Sequence, residues 1–370
     1  MNQREIIIND NYSEFDELFG GGKKVFLVCD SSYGFLKIGK HIDSLIESGA
    51  NIIKFSNFAP NPDYTSVKEA VQFFRKSGRE LIVAVGGGSA MDLAKCVKLY
   101  SNMDDSDEYI NQKIVPNDIP LIAVPTTAGT GSEATRYAVI YYNGVKQSVA
   151  DLSCIPSIVV FDSSVLKTLP MYQRKATMMD AFCHSIESFW SVNSTDESKE
   201  LSKTAITMIL DNMDAYLNNE DKANKAMLKA ANIAGKAINI TQTTAGHAMC
   251  YKLTSLYGIA HGHAAALCDS VLMPYMIEHT ENCIDSRGEA YLKTVFEDIA
   301  KTMNCSDTSD LCEKFNDIVS KLEFSIPDCS NEDYEVLKTS VNPTRLKNNP
   351  VKLSEDTIDM LYHQIFSKRK

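Results

Sequence analysis

Three of the seven histidines in this 370-residue chain lie within one segment, residues 243–267. Imidazole nitrogens bind divalent metals and exchange protons near neutral pH, so this clustering points to a metal or acid–base site. His247 and His261 are fourteen positions apart, which is about 21 Å on an unbroken helix and too far to share an ion. Gly258 interrupts the helical pattern between them. The segment therefore predicts two helices joined at a corner that brings His261 back toward His247.

A second pair of candidate ligands precedes this segment. Asp180 and His184 are four residues apart in the helical sequence ATMMDAFCHSIES, so both side chains project from one helix face. This spacing alone arises often by chance, and a single histidine is more commonly a core residue with satisfied hydrogen bonds. Together, the four residues Asp180, His184, His247 and His261 predict a metal site. Three nitrogens and one carboxylate suit Fe²⁺ or Zn²⁺ and also admit manganese or cobalt.

A glycine-rich loop in the first half of the chain has the features of an anion-binding turn. The sequence LIVAVGGGSAMDLAK places a strand before Gly86–Gly88 and a helix after it. Glycines allow close approach of the backbone, and the first N–H groups of the helix attract a pyrophosphate. The strict GxGxxG pattern fails at Met91, so a tight turn without a ligand is an equal alternative.

Two other segments offer hydrogen-bonding groups for a nucleotide. Asp30 follows the strand KVFLVC, where a carboxylate can accept hydrogen bonds from a ribose and repel a 2′-phosphate. The alternative is an exposed aspartate that opens a turn. The sequence AVPTTAGTGSEAT is rich in hydroxyl groups, which either contact a nucleotide or satisfy the backbone of a surface turn.

Composition and charge narrow the class of protein. Hydrophobic residues make up 44% and charged residues 23% of the chain, and the net charge is −11 with scattered lysines and arginines. This distribution argues against nucleic-acid binding, which needs a basic surface. No apolar run is long enough for a membrane span or a signal peptide. The ten cysteines are dispersed and form no CxxC pair, so we expect a cytoplasmic protein with reduced thiols.

The order of strand-like and helix-like segments predicts two domains. Residues 1–168 alternate β-branched runs with helical patterns, which indicates an α/β domain with a mainly parallel sheet. An Asn-Gly pair between alternating runs predicts one additional hairpin. Residues 169–370 are dominated by helical periodicity and form a predicted all-α domain. We expect the ligands to bind in a cleft between the two domains.

The motifs as a set identify a family. In order and spacing, the chain resembles the iron-containing (group III) alcohol dehydrogenases, whose fold dehydroquinate synthase and glycerol dehydrogenase share. The motifs that carry the resemblance are GGGSAMDLAK, PTTAGTGSEAT, MDAFCHSIES and HAMCYKLTSLYGIAHG. The resemblance implies a dehydroquinate synthase-like fold, a nicotinamide nucleotide in the first domain and one divalent metal, Fe²⁺ or Zn²⁺, in the second. It assigns the metal to Asp180, His184, His247 and His261.

The resemblance also implies the residues of the nucleotide site and the partners. Asp30 favours NAD over NADP, and the expected partners are a small aldehyde or alcohol and a second copy of the chain, with no nucleic acid or membrane. The implied cofactor-binding residues are Asp30, Asn61, Gly87, Gly88, Ser89, Asp92, Thr126, Thr127, Thr130, Ser132 and Lys146.

One departure from the family affects proton transfer. Many members carry a histidine, thought to relay a proton, where this chain has Tyr251. The candidates that replace it are Tyr251, Lys252, His263 or water. The amino-acid sequence around these positions is similar to that of the phosphonoacetaldehyde reductase branch of the family. With such a substrate, Lys252 or Lys236 of this chain would offset the charge of the phosphonate. The hydroxyls of Thr241, Thr243 and Thr244 either complete an anion pocket or cap a helix.

The sequence therefore leads to an expected reaction and three alternatives. We expect NAD(P)H-linked reduction of phosphonoacetaldehyde to 2-hydroxyethylphosphonate, with the metal polarising the aldehyde oxygen. A general short-chain alcohol dehydrogenase of the same family is the first alternative. A dehydroquinate synthase-type lyase and an inactive nucleotide- and metal-binding protein are the others.

Overall fold

The computed structural model describes residues 3–105, 107–341 and 343–368. The chain forms two compact units, one comprising Met1–Leu169 with Asn218–Asn232 and the other comprising Pro170–Leu217 with Ile233–Lys370. The first unit thus includes a short segment from the second half of the chain. Lys229 of this segment forms an ion pair with Glu5, and Lys167 pairs with Asp221. The predicted domain boundary between residues 168 and 169 stays a prediction. It did not assign residues 218–232 to the first domain.

The first unit contains a six-stranded parallel sheet and a separate two-stranded hairpin, which confirms the predicted fold class. The strands of the described residues are β1 (Arg4–Ile8), β2 (Val25–Cys29), β3 (Ile52–Phe55), β4 (Leu81–Gly86), β5 (Leu121–Pro125), β6 (Tyr137–Tyr142), β7 (Val145–Ala150) and β8 (Ile158–Asp162). The sheet order is β1-β8-β5-β4-β2-β3, and β6 pairs with β7 in the antiparallel hairpin around Asn143 and Gly144.

The central strands are buried on both faces because helices cover the sheet. Every residue of β2, β4 and β5 is buried, and these strands consist mainly of valine, leucine and isoleucine. This is the pattern expected of parallel strands inside an α/β layer structure. The helices of the described residues that begin before Leu169 are α1 (Ser13–Asp16), α2 (Lys37–Glu47), α3 (Tyr64–Ser77) and α4 (Gly88–Tyr100).

The sheet brings the ends of three strands to one edge. Cys29 of β2 lies opposite Val85 of β4, and Gly86 of β4 lies opposite Pro125 of β5. Strand order reverses between β2 and β4, because β3 lies on one side of β2 and β4 on the other. Ligands of open α/β sheets bind at the carboxyl ends of strands beside such a reversal. The loops after β2, β4 and β5 therefore occupy the expected ligand-binding edge.

The second unit is helical, as the sequence predicts. The remaining helices of the described residues are α5 (Met171–Trp190), α6 (Asp196–Leu217), α7 (Asp221–Thr241), α8 (Ala245–Tyr257), α9 (His261–Glu278), α10 (Glu289–Thr302), α11 (Thr308–Lys321), α12 (Asn331–Thr339), α13 (Pro343–Leu346) and α14 (Glu355–Ser367). Every residue of α5 from Met178 to Trp190 is buried, which makes it a central helix, and it packs against α6 and α9. Within the described ranges, no helix combines the length and the apolarity needed to cross a membrane.

Candidate metal centre and nucleotide-binding loop

The second unit brings three of the four predicted ligands together. Asp180 lies on α5, His247 on α8, and His261 is the first residue of α9. One ligand atom from each of these residues lies within 4.8 Å of the other two. The Oδ1 atom of Asp180 is 3.4 Å from Nε2 of His247 and 4.0 Å from Nε2 of His261. Among the described residues, this is the group of histidine, cysteine and acidic side chains whose geometry suits a metal ion.

The fourth predicted ligand, His184, lies beside this group. Its ring stacks on that of His247 with 4.4 Å between the ring centroids and an interplanar angle of 15°. His184 is buried one helical turn after Asp180 on α5. Its position next to the three clustered donors agrees with the spacing argument, and its role as a ligand stays a prediction.

The electrostatics of the cluster favour a bound cation. Burial alone would raise the pKa of Asp180, but the charges of His184 and His261 and a hydrogen bond from His247 hold it below its usual value. Burial would likewise lower the pKa of His247, yet the charge of Glu187 raises it well above the ordinary value. Asp180 is only 2% exposed and His247 only 1%. The buried carboxylates of Asp180 and Glu187 thus create a negative electrostatic field that a divalent metal can neutralise.

Two glycines set the helix geometry that places the ligands. Helix α8 ends at Gly258, which has φ 67° in the left-handed region, and α9 begins three residues later at His261. Gly262 lies against α5, where a Cβ atom would be 2.0 Å from the carbonyl oxygen of Ala176 and 2.6 Å from the amide nitrogen of Asp180. Absence of a side chain at Gly262 therefore allows α9 to approach α5 closely enough for the two ligands to meet.

The structure adds a residue that the sequence reasoning missed, Glu187. Its carboxylate contacts Nδ1 of His247, and it also accepts the backbone N–H of His247 at 3.0 Å. Glu187 is completely buried. Its position is seven residues after Asp180 and three after His184 in α5, so all three share one helix face. That periodicity was the available signal for a carboxylate beside the ligands.

A second missed acid, Asp269 of α9, lies next to Glu187. Both are fully buried, and a Cβ atom at Gly246 would be 1.9 Å from Oδ1 of Asp269 and 2.7 Å from Oε1 of Glu187. Burial, reinforced by the charge of Glu187, raises the pKa of Asp269 well above its usual range. Glycine at position 246 makes room for this pair of acids.

Two of the predicted proton-transfer residues lie on α8 near the metal cluster. The ring of Tyr251 is parallel to that of His261, with an interplanar angle of 6° and 5.4 Å between centroids. Lys252 is the next residue of the helix and is half-buried. Tyr251 therefore contacts one of the clustered histidines directly, which keeps it as a candidate for proton transfer.

His263 has different surroundings. It is completely buried, its Nδ1 atom shares a hydrogen bond of 2.9 Å with the Tyr172 hydroxyl, and its ring stacks on Phe324. Burial lowers the pKa of His263 to about 4, so the ring is neutral at pH 7. The Tyr172 hydroxyl also accepts the N–H of Ala260, just before α9. These contacts indicate that His263 helps to anchor the start of α9, and its role in proton transfer stays a prediction.

The hydroxyls of Thr241 and Thr244 are occupied inside the second unit. Thr244 donates from Oγ1 to Glu187 at 2.6 Å and accepts from the indole N–H of Trp190 at 2.9 Å. The Thr241 hydroxyl bonds to the carbonyl of Ala237 in the preceding helical turn. Of the two alternatives for these threonines, the contacts favour an internal structural role over an anion pocket.

In the first unit, Asp30 and the glycine loop are joined by a hydrogen bond. The N–H of Gly87 donates to Oδ2 of Asp30 at 3.0 Å, and Ser32 donates to Oδ1 from both its backbone and its hydroxyl. A Cβ atom at Gly86 would be 2.5 Å from the same carboxylate, so this contact depends on glycine. Asp30 thus anchors the loop, and lone pairs remain on its oxygens for further donors.

The other predicted nucleotide-binding residues surround the same loop. Ser89 accepts the N–H of Asn61 at 2.9 Å. A Cβ atom at Gly88 would be 3.0 Å from the side chain of Thr130, and one at Gly87 would be 3.5 Å from that of Thr127. The N–H of Thr126 donates to the carbonyl of Gly86 at 3.0 Å. The glycine loop is therefore enclosed by short polar side chains, as a pyrophosphate site requires.

A buried polar network supports the hydroxyl-rich loop. Ser132 donates to Asp92 at 2.8 Å and accepts from Lys95 at 3.0 Å. Lys95, which the sequence reasoning missed, also donates to Thr135 at 3.1 Å and to the carbonyl of Tyr137 at 2.7 Å. Burial raises the pKa of Asp92 against the opposing charges of Lys95 and Lys146. The repeat of polar residues in SAMDLAK, one helical turn apart, was the signal for Lys95.

Comparison with known proteins agrees with this arrangement. The sequence pattern of the family described as iron-containing alcohol dehydrogenase matches residues 4–163, and that of the C-terminal part of the Fe-containing alcohol dehydrogenase family matches residues 175–366. The 1,3-propanediol dehydrogenase of Citrobacter freundii is 32% identical over 268 residues, which cover 70% of this chain and 68% of that protein. The corresponding enzyme of Klebsiella pneumoniae is 31% identical and covers 83% and 79%, respectively.

A solved structure extends the likeness to the whole fold. The sulfoacetaldehyde reductase from Bifidobacterium kashiwanohense, in complex with NAD+, has a TM-score of 0.87 over 99% of this chain and 98% of that chain, at 24% identity. The family patterns cover most of the chain, and both the parallel sheet and the helical unit that they imply are present. The chain belongs to the iron-containing alcohol dehydrogenase family of oxidoreductases.

Proposed function

We propose that this protein is a metal-dependent reductase that uses NADH to convert a small phosphonate-bearing aldehyde, phosphonoacetaldehyde, into the primary alcohol. The observation that carries the proposal is the convergence of Asp180, His247 and His261 in the second unit, where Asp180 and His247 are buried. A reductase of this family needs such a set to bind one cation beside the reacting carbonyl.

The donor set fits Fe²⁺ or Zn²⁺. Imidazole nitrogens and a carboxylate oxygen are ligands that both ions accept, and the buried, oriented His247 is typical of a metal-binding histidine. A bound divalent cation supplies Lewis-acid polarisation of the aldehyde oxygen. The proposed ligands, Asp180, His184, His247 and His261, would hold the cation. Three of these side chains, Asp180, His184 and His247, are almost fully buried, which would exclude water from that side of the cation.

The glycine loop fits the pyrophosphate of a dinucleotide. Gly88 begins α4, so its N–H and those of the next residues are available to an anion. Asp30 is positioned beside Gly87 and offers a carboxylate to the adenosine ribose. We propose that the eleven nucleotide-binding residues named above, all of the first unit, bind NAD(H).

We assign proton delivery to Tyr251. Its ring stacks on His261, which places it beside the proposed metal. His263 is buried, neutral and engaged with Tyr172 and Phe324, which makes it the weaker candidate. Lys252 follows Tyr251 on the same helix, and its ammonium group supports an anionic substrate through charge attraction.

The substrate proposal is tested by comparing aldehydes of similar size. NADH oxidation is followed at 340 nm with phosphonoacetaldehyde and with 3,3-dimethylbutanal, whose tert-butyl group replaces the phosphonate without its charge. We expect kcat/KM to be about 100-fold higher for the phosphonate, because a charge-assisted interaction contributes about 1.5–3 kcal/mol. Equal or faster turnover of the neutral aldehyde would favour the general alcohol dehydrogenase.

The remaining alternatives give other outcomes in the same assay. A lyase of the dehydroquinate synthase type would consume no net NADH, and an inactive binding protein would oxidise none with any aldehyde. The second half of the sequence has no cluster of arginines that could hold a phosphate and a carboxylate beside the metal, which favours the reductase over the lyase. We further propose that the enzyme is a homodimer, which light scattering of the purified protein tests.

Cofactor preference provides a prediction for Asp30. We expect Asp30→Asn to raise the ratio of kcat/KM for NADPH to that for NADH by about 10-fold or more, because the charge that repels a 2′-phosphate is lost while an oxygen acceptor for Gly87 stays. Asp30→Ala should raise the same ratio and also lower kcat/KM for NADH, because the loop loses its anchor. Initial rates with both cofactors measure this, and an unchanged ratio in both variants would contradict the role of Asp30.

A further inference from the structure

We propose that Glu187 is a positioning residue that fixes the ring orientation and the tautomer of His247, so that Nε2 of His247 is presented to the metal. This inference rests on the proposed metal-dependent function. It concerns a buried carboxylate of α5 that lies behind the three ligands rather than among them.

The described hydrogen bonds of the Glu187 carboxylate are with Thr244 and His247. Oε2 accepts the N–H of Thr244 at 2.5 Å and its hydroxyl at 2.6 Å. Oε1 accepts the backbone N–H of His247 at 3.0 Å and contacts Nδ1 of the same residue. Because an ionised carboxylate only accepts hydrogen bonds, His247 must carry its proton on Nδ1. Its Nε2 atom is then the ring nitrogen that can bind a metal once its own proton is released.

The Nε2 atom of His247 faces the other ligands. It lies 3.4 Å from Oδ1 of Asp180 and forms a hydrogen bond with it. A metal ion bound by both atoms would take the place of the shared proton. The hydrogen bond from Nδ1 to a carboxylate is the arrangement that orients histidine ligands and increases their basicity in metal proteins. The geometry thus matches a histidine prepared for a metal.

The contacts of Glu187 also suggest a simpler role, stabilisation of the start of α8, and the test must distinguish this role from the positioning of His247. Thr244 precedes α8 and His247 lies in its first turn, so the carboxylate satisfies N–H groups at the start of that helix. A carboxylate that acts only in this way would contribute to stability and leave metal affinity unchanged once the protein is folded. Metal affinity and helix stabilisation are therefore measured on the same variants.

The experiment uses Co²⁺ as a probe, because its visible absorption reports ligand geometry independently of turnover. The variant is Glu187→Gln, which keeps the size of the side chain but turns an NH₂ group toward donors. We expect the dissociation constant for Co²⁺ to rise 10- to 100-fold and the absorption bands to shift. Should this variant fail to fold, Glu187→Asp replaces it, and because its shorter carboxylate cannot reach both Thr244 and His247, about a threefold or greater weakening is expected.

Two controls share the location but not the contact with the histidine ring. Ser185→Ala removes a buried hydroxyl of α5 that donates only to the carbonyl of Ala181. Thr244→Val removes the hydroxyl donor to Glu187 and leaves the His247 contacts in place. We expect both to bind Co²⁺ within about threefold of wild type, with Thr244→Val lowering the thermal midpoint of the metal-free protein.

The outcomes separate this inference from the function on which it rests. Weaker Co²⁺ binding and an altered spectrum in folded Glu187→Gln, with both controls near wild type, support the positioning role. Wild-type affinity and spectrum in a folded Glu187 variant overturn it while leaving the metal-dependent function intact. A wild-type protein that binds no Co²⁺ would overturn the proposed function and this inference together.

Discussion

Asp180→Asn is expected to lower kcat/KM for aldehyde reduction by about 10³-fold or more and to abolish stable metal binding. The change keeps the shape of the side chain, but a neutral amide replaces the carboxylate whose Oδ1 atom lies 3.4 Å from His247 and 4.0 Å from His261. Lewis-acid stabilisation of the developing alkoxide contributes several kcal/mol, and each 1.36 kcal/mol changes a rate tenfold. Loss of the metal therefore removes most of the catalysis.

The measurement combines initial rates with the metal content of the purified variant. Asp211→Asn, at an exposed position of α6, loses the same charge away from the ligand cluster and should match wild type in both respects. Circular dichroism checks that Asp180→Asn is folded. A folded variant that keeps one equivalent of metal and wild-type kcat/KM would show that Asp180 is not a ligand and would remove the basis of the proposed reaction.

Two parts of the predicted ligand site follow from local patterns in the sequence. Helix periodicity places Asp180 and His184 on one face, and the break at Gly258 permits His261 to return toward His247, which is what α8 and α9 do. The approach of Asp180 to the two histidines depends on how α5 packs in the second unit, which these local patterns do not determine. Sequence patterns also predicted a mainly parallel sheet in the first unit and identified β2 and β4 as strands, from KVFLVC and from the apolar run before Gly86.

The residues that the sequence did not reveal act through partners from other elements. Glu187 can be recognised as a partner of His247 only once α8 packs against α5. Asp269 can be recognised as a neighbour of Glu187 only once α9 packs beside the same residues. Asp30 was predicted to face a ribose, but its bond to Gly87 depends on β2 and β4 being neighbours in the sheet. The grouping of residues 218–232 with the first unit likewise follows from ion pairs between distant parts of the chain.

These cases share a physical cause. A buried carboxylate is costly unless donors or charges compensate it, so its presence implies partners without naming them. Sequence spacing identifies which side chains share a helix face, and packing decides which faces meet. Gly246 and Gly262 are indirect sequence signals of that packing, because each allows a close contact that any larger residue would prevent.

Gly262→Ala is therefore expected to disrupt both the fold of the second unit and the ligand cluster. The added Cβ atom would lie 2.0 Å from the carbonyl oxygen of Ala176, 2.6 Å from the amide nitrogen of Asp180 and 2.7 Å from its Cβ. Two of these three atoms belong to the backbone of a buried helix and cannot rotate away. Overpacking of this kind costs about 3 kcal/mol or more when the surroundings cannot adjust.

Relief of the clash requires α9 to move away from α5, which carries His261 away from Asp180. We expect a lower midpoint of urea unfolding and, in the protein that remains folded, at least a tenfold weaker affinity for Co²⁺. Gly34→Ala is the matched control, because no atom lies within 4 Å of the added Cβ and the backbone there is compatible with alanine. Its midpoint of urea unfolding should therefore equal or slightly exceed that of wild type. Wild-type stability and metal affinity in Gly262→Ala would mean that the close approach of α9 to α5 does not determine the ligand geometry.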